Sequence, residues 1–326
     1  MECRAVLRYA TAIEQQKSKI KNIKTAIGWV IGIASVGLCA AAIIGYWDKF
    51  DPWRYPIRPA LFSAAIACTL AGLCLHGLGW FVLMRGMAPG LSFSSAMRAW
   101  AYSQVVKYVP GKVMVFVTRT EICGREGIAP LTVLAGTGLE IILSLICAMV
   151  LSLGTVTVWL RNSGLSPWVC VLPLAGLLAM VHPKVIMAVM RLYYRLRKAD
   201  TSSVPKLDLK HILQPMAVYF MGWLLYGVGG YLLVRVIVAG FDGSPSAMIG
   251  VIGAFPFAWA AGYLVILAPG GAGFREGALV YALGSWLSFE LAIVVAVAAR
   301  MCQSGLDLLI AGGWWAGRTI ALRRSK

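Results

Sequence analysis

Long apolar segments limit this chain more than any other feature of its sequence. Only 13% of its residues are charged, against about 25% in an ordinary soluble domain. The first apolar run, 27–47, would form a helix about 31 Å long, which is enough to cross the hydrocarbon core of a bilayer. The composition therefore excludes a soluble globular enzyme and predicts an all-α polytopic membrane protein. Six full spans are expected, at 27–47, 59–84, 130–160, 166–181, 212–238 and 289–315.

Basic side chains are concentrated in the loops and at the chain ends, and the net charge is +17. Six lie in 1–26, seven in 183–211 and four after residue 317. The positive-inside rule then predicts that both termini and 183–211 are cytoplasmic. The segments 1–26 and 318–326 are basic ends of a single transmembrane domain, 27–317. Since topology accounts for these charges, the expected partners are anionic lipids and not nucleic acid.

Two apolar segments are interrupted midway by proline and glycine. The segment 92–127 contains Pro110-Gly111, and 246–287 contains Pro269-Gly270-Gly271. Proline removes a backbone donor and glycine permits non-helical angles, so each helix is expected to break there. If 92–127 crossed the membrane once, every later loop would change sides, and the basic loop 183–211 would lie outside, against the positive-inside rule. We therefore predict two re-entrant hairpins, the first entering from the cytoplasm and the second from the outside.

The predicted elements repeat along the chain as span, span, hairpin, span. The first repeat covers about 27–160 and the second about 166–317, with opposite starting sides. Pro110 and Pro269 are 159 residues apart, which is close to half the chain. Glu140 follows its proline by 30 residues and Arg300 follows its own by 31. The pattern predicts two inverted-topology repeats, the architecture of many alternating-access transporters.

The second break is the sharpest local motif. Glycines lead into a short helix whose first turn carries a cation and an anion, and a helix start attracts anions. Arginine adds a donor fork suited to phosphate. The alternative is that the glycines only permit close helix packing. The motif predicts a substrate-binding site formed by Gly270, Gly271, Gly273, Arg275 and Glu276.

The first break carries matching cations. Lys112 follows Pro110-Gly111 directly, and Arg119 lies seven residues later on the same helical face. Charges at that depth are costly, so both are candidates for substrate contact. Glu121 and Arg125 instead have the spacing of an exposed i,i+4 ion pair at the cytoplasmic foot.

Two further faces carry intramembrane polar residues. Thr137, Glu140 and Ser144 share one face of the third span, and Arg300, Gln303, Ser304 and Asp307 share one face of the sixth. One interpretation is a structural Glu140–Arg300 ion pair that joins the repeats. The other is a gating or coupling site formed by Glu140, Arg300 and Asp307.

The sequence offers little for catalysis. It contains no nucleophile paired with a base, no zinc-ligand spacing and no P-loop. We therefore expect no enzymatic activity, no cofactor and no bound metal.

The motif around Pro110, the span with Glu140 and the run from Ala268 to Gly277 together resemble the lysylphosphatidylglycerol synthase transmembrane family. This is the flippase-like domain found in the multiple peptide resistance factor of bacteria. The resemblance extends over roughly residues 25–320, and Lys112 stands where that family often has a second glycine. The synthase domain of the full-length factor would need several hundred further residues, so aminoacylation is not expected.

The resemblance implies a lipid flippase of the bacterial inner membrane that moves an anionic or lipid-linked headgroup. Its expected partners are membrane lipids, either an anionic phospholipid or a polyprenyl-linked glycan. Two alternatives stay open at this point. One is an ion-coupled carrier of a small soluble anion. The other is a non-transporting scaffold for an envelope-lipid biosynthetic enzyme.

Overall fold

The computed structural model describes residues 58–108, 113–163, 175–176, 183–196, 208–241, 243–265 and 269–324. This part of the chain is helical and contains no strand. In chain order its helices are α1 (Pro59–Met87), α2 (Phe93–Val106), α3 (Val113–Gly124), α4 (Pro130–Ser163), α5 (Pro183–Leu196), α6 (Leu209–Ile237), α7 (Pro245–Leu264), α8 (Phe274–Leu283) and α9 (Phe289–Arg324).

Four of the six predicted spans correspond to long helices of the structure. The runs at 59–84, 130–160, 212–238 and 289–315 match α1, α4, α6 and α9, except that α6 ends one residue earlier than predicted, and each helix is long and apolar enough to cross a membrane. The run at 27–47 and nearly all of 166–181 lie outside the described residues. These helices confirm the prediction of a multi-pass helical membrane protein.

The second predicted helix break is present, because a 3-10 turn, Pro269–Gly271, separates α7 from α8. The first was predicted at Pro110-Gly111, which lies outside the described residues, between the end of α2 at Val106 and the start of α3 at Val113. Three glycines in the second break have positive φ: 57° at Gly270, 73° at Gly271 and 80° at Gly273. Other residues rarely adopt such angles, so the turn depends on glycine.

The second helix pair differs from the first in one respect. Helix α7 has 20 residues and is a fifth candidate membrane span, whereas α2 has only 14 residues. The reason lies in the sequence, because α7 carries no charged residue between Pro245 and Leu264. The first helix of the second pair, α7, is therefore longer than the first helix of the first pair, and the two pairs are not symmetric in length.

The start of α2 and the end of α3 lie next to each other. The carboxylate of Glu126, just after α3, accepts hydrogen bonds from the Ser92 backbone N–H at 2.8 Å and the Ser92 hydroxyl at 2.7 Å. The Ser95 hydroxyl donates to the same carboxylate. Ser92 is the N-cap of α2, so these bonds fasten the beginning of α2 to the end of α3. As predicted, Arg125 pairs with Glu121, at 2.7 Å on the exposed surface.

Helices α1 and α6 form the most extensive helix–helix contact in the described structure. A Cβ added at Gly72 would lie 2.7 Å from the Gly222 carbonyl oxygen, and one at Gly229 would lie 2.9 Å from the Ala65 carbonyl oxygen. Small residues let the two backbones approach, which is how membrane helices gain packing energy. The long helices are thereby held around the broken pairs, which meet at the centre.

Candidate anion-binding cavity

A cavity of about 140 Å³ lies where the two broken helix pairs meet. At about 30 Å³ for each water in the liquid, it has room for several water molecules. Eight of the residues singled out from the sequence line it: Arg119, Thr137, Glu140, Ser144, Gly270, Gly271, Arg275 and Gln303.

The two breaks contact each other directly through their backbones. The Gly270 N–H donates to the Lys107 carbonyl oxygen at 3.1 Å, and Arg300 Nη1 donates to the Gly270 carbonyl oxygen at 3.0 Å. The Arg300 guanidinium lies over the Tyr108 ring, 5.2 Å from its centroid. We call Lys107 and Tyr108 the first tip and the turn Pro269–Gly271 the second tip. The two tips and α9 are thus joined at one point.

An ion pair anchors the first tip to α9. Lys107 Nζ lies 2.8 Å from Asp307 Oδ2, and the Tyr108 hydroxyl donates to the same oxygen at 2.8 Å. The Tyr108 hydroxyl also contacts the Ser304 hydroxyl at 3.0 Å. Asp307 is completely buried, and its Oδ1 has no hydrogen-bond partner among the described residues. The predicted polar face of α9 therefore points at the first tip.

Arg119 and Glu140 form a second ion pair, between α3 and α4. Both nitrogens of the Arg119 fork donate to the Glu140 carboxylate, and the longer of these two bonds is 3.3 Å. Arg119 Nε donates to the Ser103 hydroxyl at 3.1 Å, and the guanidinium lies 4.3 Å from the centroid of the Trp80 ring. With these partners, the charge of Arg119 is compensated within the protein.

A Glu140–Arg300 pair, one of the two interpretations of the sequence, is not formed. Glu140 pairs with Arg119, and Arg300 Nε lies 3.5 Å from Glu276 Oε1. Glu140 therefore pairs within the first half of the chain and Arg300 within the second, whereas Asp307 pairs across the halves with Lys107. The spacing of polar residues placed both side chains at the centre but could not choose between partners at similar depth.

Arg275 differs from the other three cations at the centre. Its guanidinium donates to the Tyr226 hydroxyl, which in turn donates to Gln303 Oε1 at 3.0 Å. Lys107, Arg119 and Arg300 each have a carboxylate within 4 Å, but Arg275 has none within the described part of the chain. Arg275 is only 9% exposed and lines the cavity, so a buried positive charge there lacks a counterion.

The backbone at the second break is less open to anions than its sequence predicts. The N–H of Gly273 donates to Glu276 Oε2 at 2.6 Å, so Glu276 caps its own helix. The N–H of Gly270 is already bonded to Lys107. Gly273 and Glu276 are not among the described residues that line the cavity. Glu276 is used instead to hold Arg300 and the turn.

Several lining residues were not singled out as site residues. Trp223, Tyr226, Trp259 and Tyr263, on α6 and α7, form an aromatic wall. Aromatic residues are common in membrane helices, and only their shared spacing along one face could have drawn attention to them. Lys107 was not chosen as a site residue, because Lys112 directly follows the predicted break at Pro110-Gly111. Lys112 lies outside the described residues. No group of three or more His, Cys, Asp or Glu that could hold a metal occurs in the described segments.

These features define a polytopic α-helical membrane protein with a charged cavity between two broken helix pairs. The chain belongs to the family described as the lysylphosphatidylglycerol synthase TM region, whose family model matches residues 23–311. This match confirms the resemblance carried by the two motifs. It indicates a membrane protein of lipid metabolism or transport. A comparison with curated proteins found no match.

Proposed function

We propose that this protein is a flippase that moves an anionic lipid headgroup across the inner membrane through the central cavity. The observation that carries the proposal is the buried guanidinium of Arg275, which lines the cavity and has no carboxylate partner within the described residues. A charge at this depth is expensive unless an opposite charge compensates it. A phosphate bound to Arg275 would supply that charge and accept bidentate hydrogen bonds.

The surroundings of Arg275 support an orienting role. Tyr226 accepts from Arg275 and donates to Gln303, so the guanidinium is held from behind by a directed chain of hydrogen bonds. The Arg275 Cβ packs against the α7 backbone, only 2.7 Å from where a Cβ on Gly262 would be. A donor that is fixed in this way loses little conformational entropy when the anion binds.

The proposed mechanism is alternating access between two inverted repeats. The order long helix, broken pair, long helix occurs twice in the described chain, as α1–α4 and α6–α9. The Glu126 hydrogen bonds at the foot of the first pair suit a segment that enters and leaves the membrane on the same side. Re-entrant hairpins whose tips meet at the cavity could part to open it toward either side.

Three carboxylate–cation pairs surround the cavity and would serve gating or coupling. Lys107–Asp307 and Arg300–Glu276 join the tips to each other and to α9, while Arg119–Glu140 joins α3 to α4. Entry of an anion at Arg275 would compete for these neighbouring cations and weaken the contacts between the tips. In this account Glu140, Arg300 and Asp307 control movement, and Arg275 holds the substrate.

A lipid is favoured over a small soluble anion by family membership, which points to membrane lipid metabolism or transport. We further propose that the chain transports without catalysing a reaction, and that its partners are membrane lipids. The orientation has both termini in the cytoplasm, as the positive-inside rule predicts for the basic ends.

The test is translocation in reconstituted vesicles. Purified protein is inserted into vesicles that contain a trace of fluorescent phosphatidylglycerol or, in parallel, phosphatidylcholine, and a quencher added outside reports the outer leaflet. We expect the protein to accelerate exchange of the anionic lipid over protein-free vesicles, with a much smaller effect on the zwitterionic one. No acceleration of either lipid, combined with uptake of free phosphate by the same vesicles, would replace the flippase with a soluble-anion carrier. The absence of both activities would favour the scaffold.

A further inference from the structure

We propose that the cavity has a second subsite beside Arg275 that receives an uncharged, hydroxylated ring, so that the preferred headgroup is a glycosyl phosphate and not an amine-bearing phosphate. The inference rests on the proposed function, because it takes the anion at Arg275 as its starting point. It adds the chemical identity of the group attached to that anion.

The aromatic wall supplies the first element of this subsite. Trp259 and Tyr263 stack with ring centroids 4.9 Å apart and an interplanar angle of 26°. Trp223 lies against Trp259 with centroids 4.6 Å apart. All three line the cavity. A continuous set of ring surfaces offers a sugar ring a large, rigid and amphipathic contact area.

This wall is adjacent to the anion site. Trp259, Gly262 and Tyr263 lie at i, i+3 and i+4 on one face of α7, so they are neighbours within about 5–6 Å. Gly262 is in direct contact with the stem of Arg275. An anion held by the guanidinium would therefore carry its next chemical group onto the aromatic pair.

Hydroxyl and imidazole groups provide the polar contacts that a hydroxylated ring requires. Ser144 accepts a hydrogen bond from Trp223 Nε1 at 3.1 Å, which leaves its own hydroxyl proton for another acceptor. Thr137 donates to the Val133 carbonyl oxygen at 2.8 Å and keeps lone pairs as acceptors. His76 also lines the cavity, and its buried Nε2 has no hydrogen-bond partner among the described residues.

The charges of the cavity argue against an amine. Glu140 is the one carboxylate among the described lining residues, and Arg119 already holds it in a bidentate pair. Three cations line the cavity, and Lys107 and Arg119 are paired with Asp307 and Glu140, so Arg275 carries the one positive charge there without a carboxylate partner among the described residues. An ammonium group would meet these cations without a carboxylate of its own, whereas a sugar hydroxyl is neutral and both donates and accepts.

The test compares soluble phosphates that differ only in the attached group. Calorimetric titration of the full chain in detergent measures the Kd for inorganic phosphate, glycerol 3-phosphate, phosphoethanolamine and glucose 1-phosphate. We expect glucose 1-phosphate to bind roughly tenfold more tightly than glycerol 3-phosphate, the scale of an aromatic contact with an added hydrogen bond. Phosphoethanolamine should bind more weakly than either. If it binds as tightly as glucose 1-phosphate, the inference is wrong.

Variants assign the preference to the wall. Trp259→Ala should remove the advantage of glucose 1-phosphate and leave the Kd for inorganic phosphate unchanged, while Trp315→Ala, at an exposed site on α9, should change neither. His76→Phe keeps the ring packing and should weaken only glucose 1-phosphate, by about threefold. A preference that survives both Trp259→Ala and His76→Phe would overturn the subsite. If Arg275→Ala leaves the Kd for inorganic phosphate unchanged, the proposed anion site is wrong. If phosphate binding depends on Arg275 but glucose 1-phosphate binds no more tightly than glycerol 3-phosphate, only the proposed subsite is wrong.

Discussion

The backbone N–H of Gly270 donates to the carbonyl oxygen of Lys107 at 3.1 Å, so the tips of the two broken helix pairs touch across the cavity. This bond joins residues 163 positions apart in sequence. The Lys107 side chain continues the connection to Asp307, and the Gly270 carbonyl continues it to Arg300. Any movement that opens the cavity between the tips must break or rearrange this set of contacts.

The first prediction concerns the space at Gly270. A Cβ there would lie 2.9 Å from Arg300 Nη2 and 3.1 Å from the Tyr108 ring, and the φ of 57° disfavours any other residue. Gly270→Ala should lower the melting temperature in detergent and reduce translocation several-fold. Gly277→Ala is the matched control in the same motif, because nothing lies within 4 Å of its added Cβ. Equal effects of the two substitutions would contradict the contact between the tips.

The second prediction concerns the buried Arg119–Glu140 pair. Removing one partner of a buried ion pair leaves an uncompensated charge and typically costs about 3–5 kcal/mol. Arg119→Met and Glu140→Leu should each destabilise the protein on this scale in denaturant unfolding. The double variant should be destabilised by clearly less than the sum of the two. Strict additivity would mean that the pair contributes no coupling.

A second substitution in the same pair distinguishes a role in substrate binding from a role in the conformational change of transport. Glu140→Gln keeps the shape of the side chain but weakens its hold on Arg119. If Glu140 acts in coupling, this variant should translocate lipid more slowly while its Kd for phosphate changes little. A large rise in that Kd would instead make Glu140 part of the binding site.

The third prediction concerns pH at Glu126, where the end of α3 contacts the start of α2. Burial acts to raise the pKa of the Glu126 carboxyl, but hydrogen bonds from Ser95 and Ser92 and the charge of Arg98 outweigh it and hold the pKa below 4.5. A carboxyl with a lowered pKa contributes stability above its unfolded pKa and loses it as the pH falls through the folded value. The melting-temperature difference between wild type and Glu126→Gln should therefore be constant above pH 5 and shrink below about pH 4.5. A difference that grows on acidification would contradict this assignment.

The fourth prediction concerns topology. In a background without native cysteines, single cysteines at Ser163, Gly243 and Ser288 should react with a membrane-impermeant reagent from outside. Cysteines at Gly90, Gly127 and Ser202 should react only after permeabilisation. Labelling of Gly90 and Gly127 from opposite sides would make the first broken pair a full span and would remove the inverted repeat.

Sequence patterns predicted four of the long helices and the position of the second break. Proline and glycine act locally, so Pro269 and Gly270 mark a break wherever the chain packs. Side-chain partners depend on the relative rotation and depth of distant helices, which no local pattern encodes. For this reason the polar faces that carry Glu140 and Arg300 could be read from the sequence, but their pairing with Arg119 and Glu276 could not be predicted.

The length of α7 illustrates a second limit. The symmetry of the motifs indicated two similar hairpins, yet α7 is long enough to span a membrane and α2 is not. A repeat inferred from two motifs fixes the order of elements but not the length of each one. The aromatic wall on α6 and α7 follows from that asymmetry, since the long α7 brings Trp259 and Tyr263 to the cavity.

The measurement that tests the central claim most directly is lipid translocation by Arg275 variants in vesicles with equal amounts of folded protein. Removing a charged hydrogen bond from a low-dielectric site costs about 1.5–3 kcal/mol, or roughly a 10- to 150-fold loss in affinity. Arg275→Ala should therefore abolish most translocation of phosphatidylglycerol, and Arg275→Lys, which keeps the charge without the fork, should fall between Ala and wild type. Arg235→Ala, at an exposed arginine of α6, should behave as wild type. Translocation by Arg275→Ala at the wild-type rate would contradict the account, because the anion would then be held elsewhere.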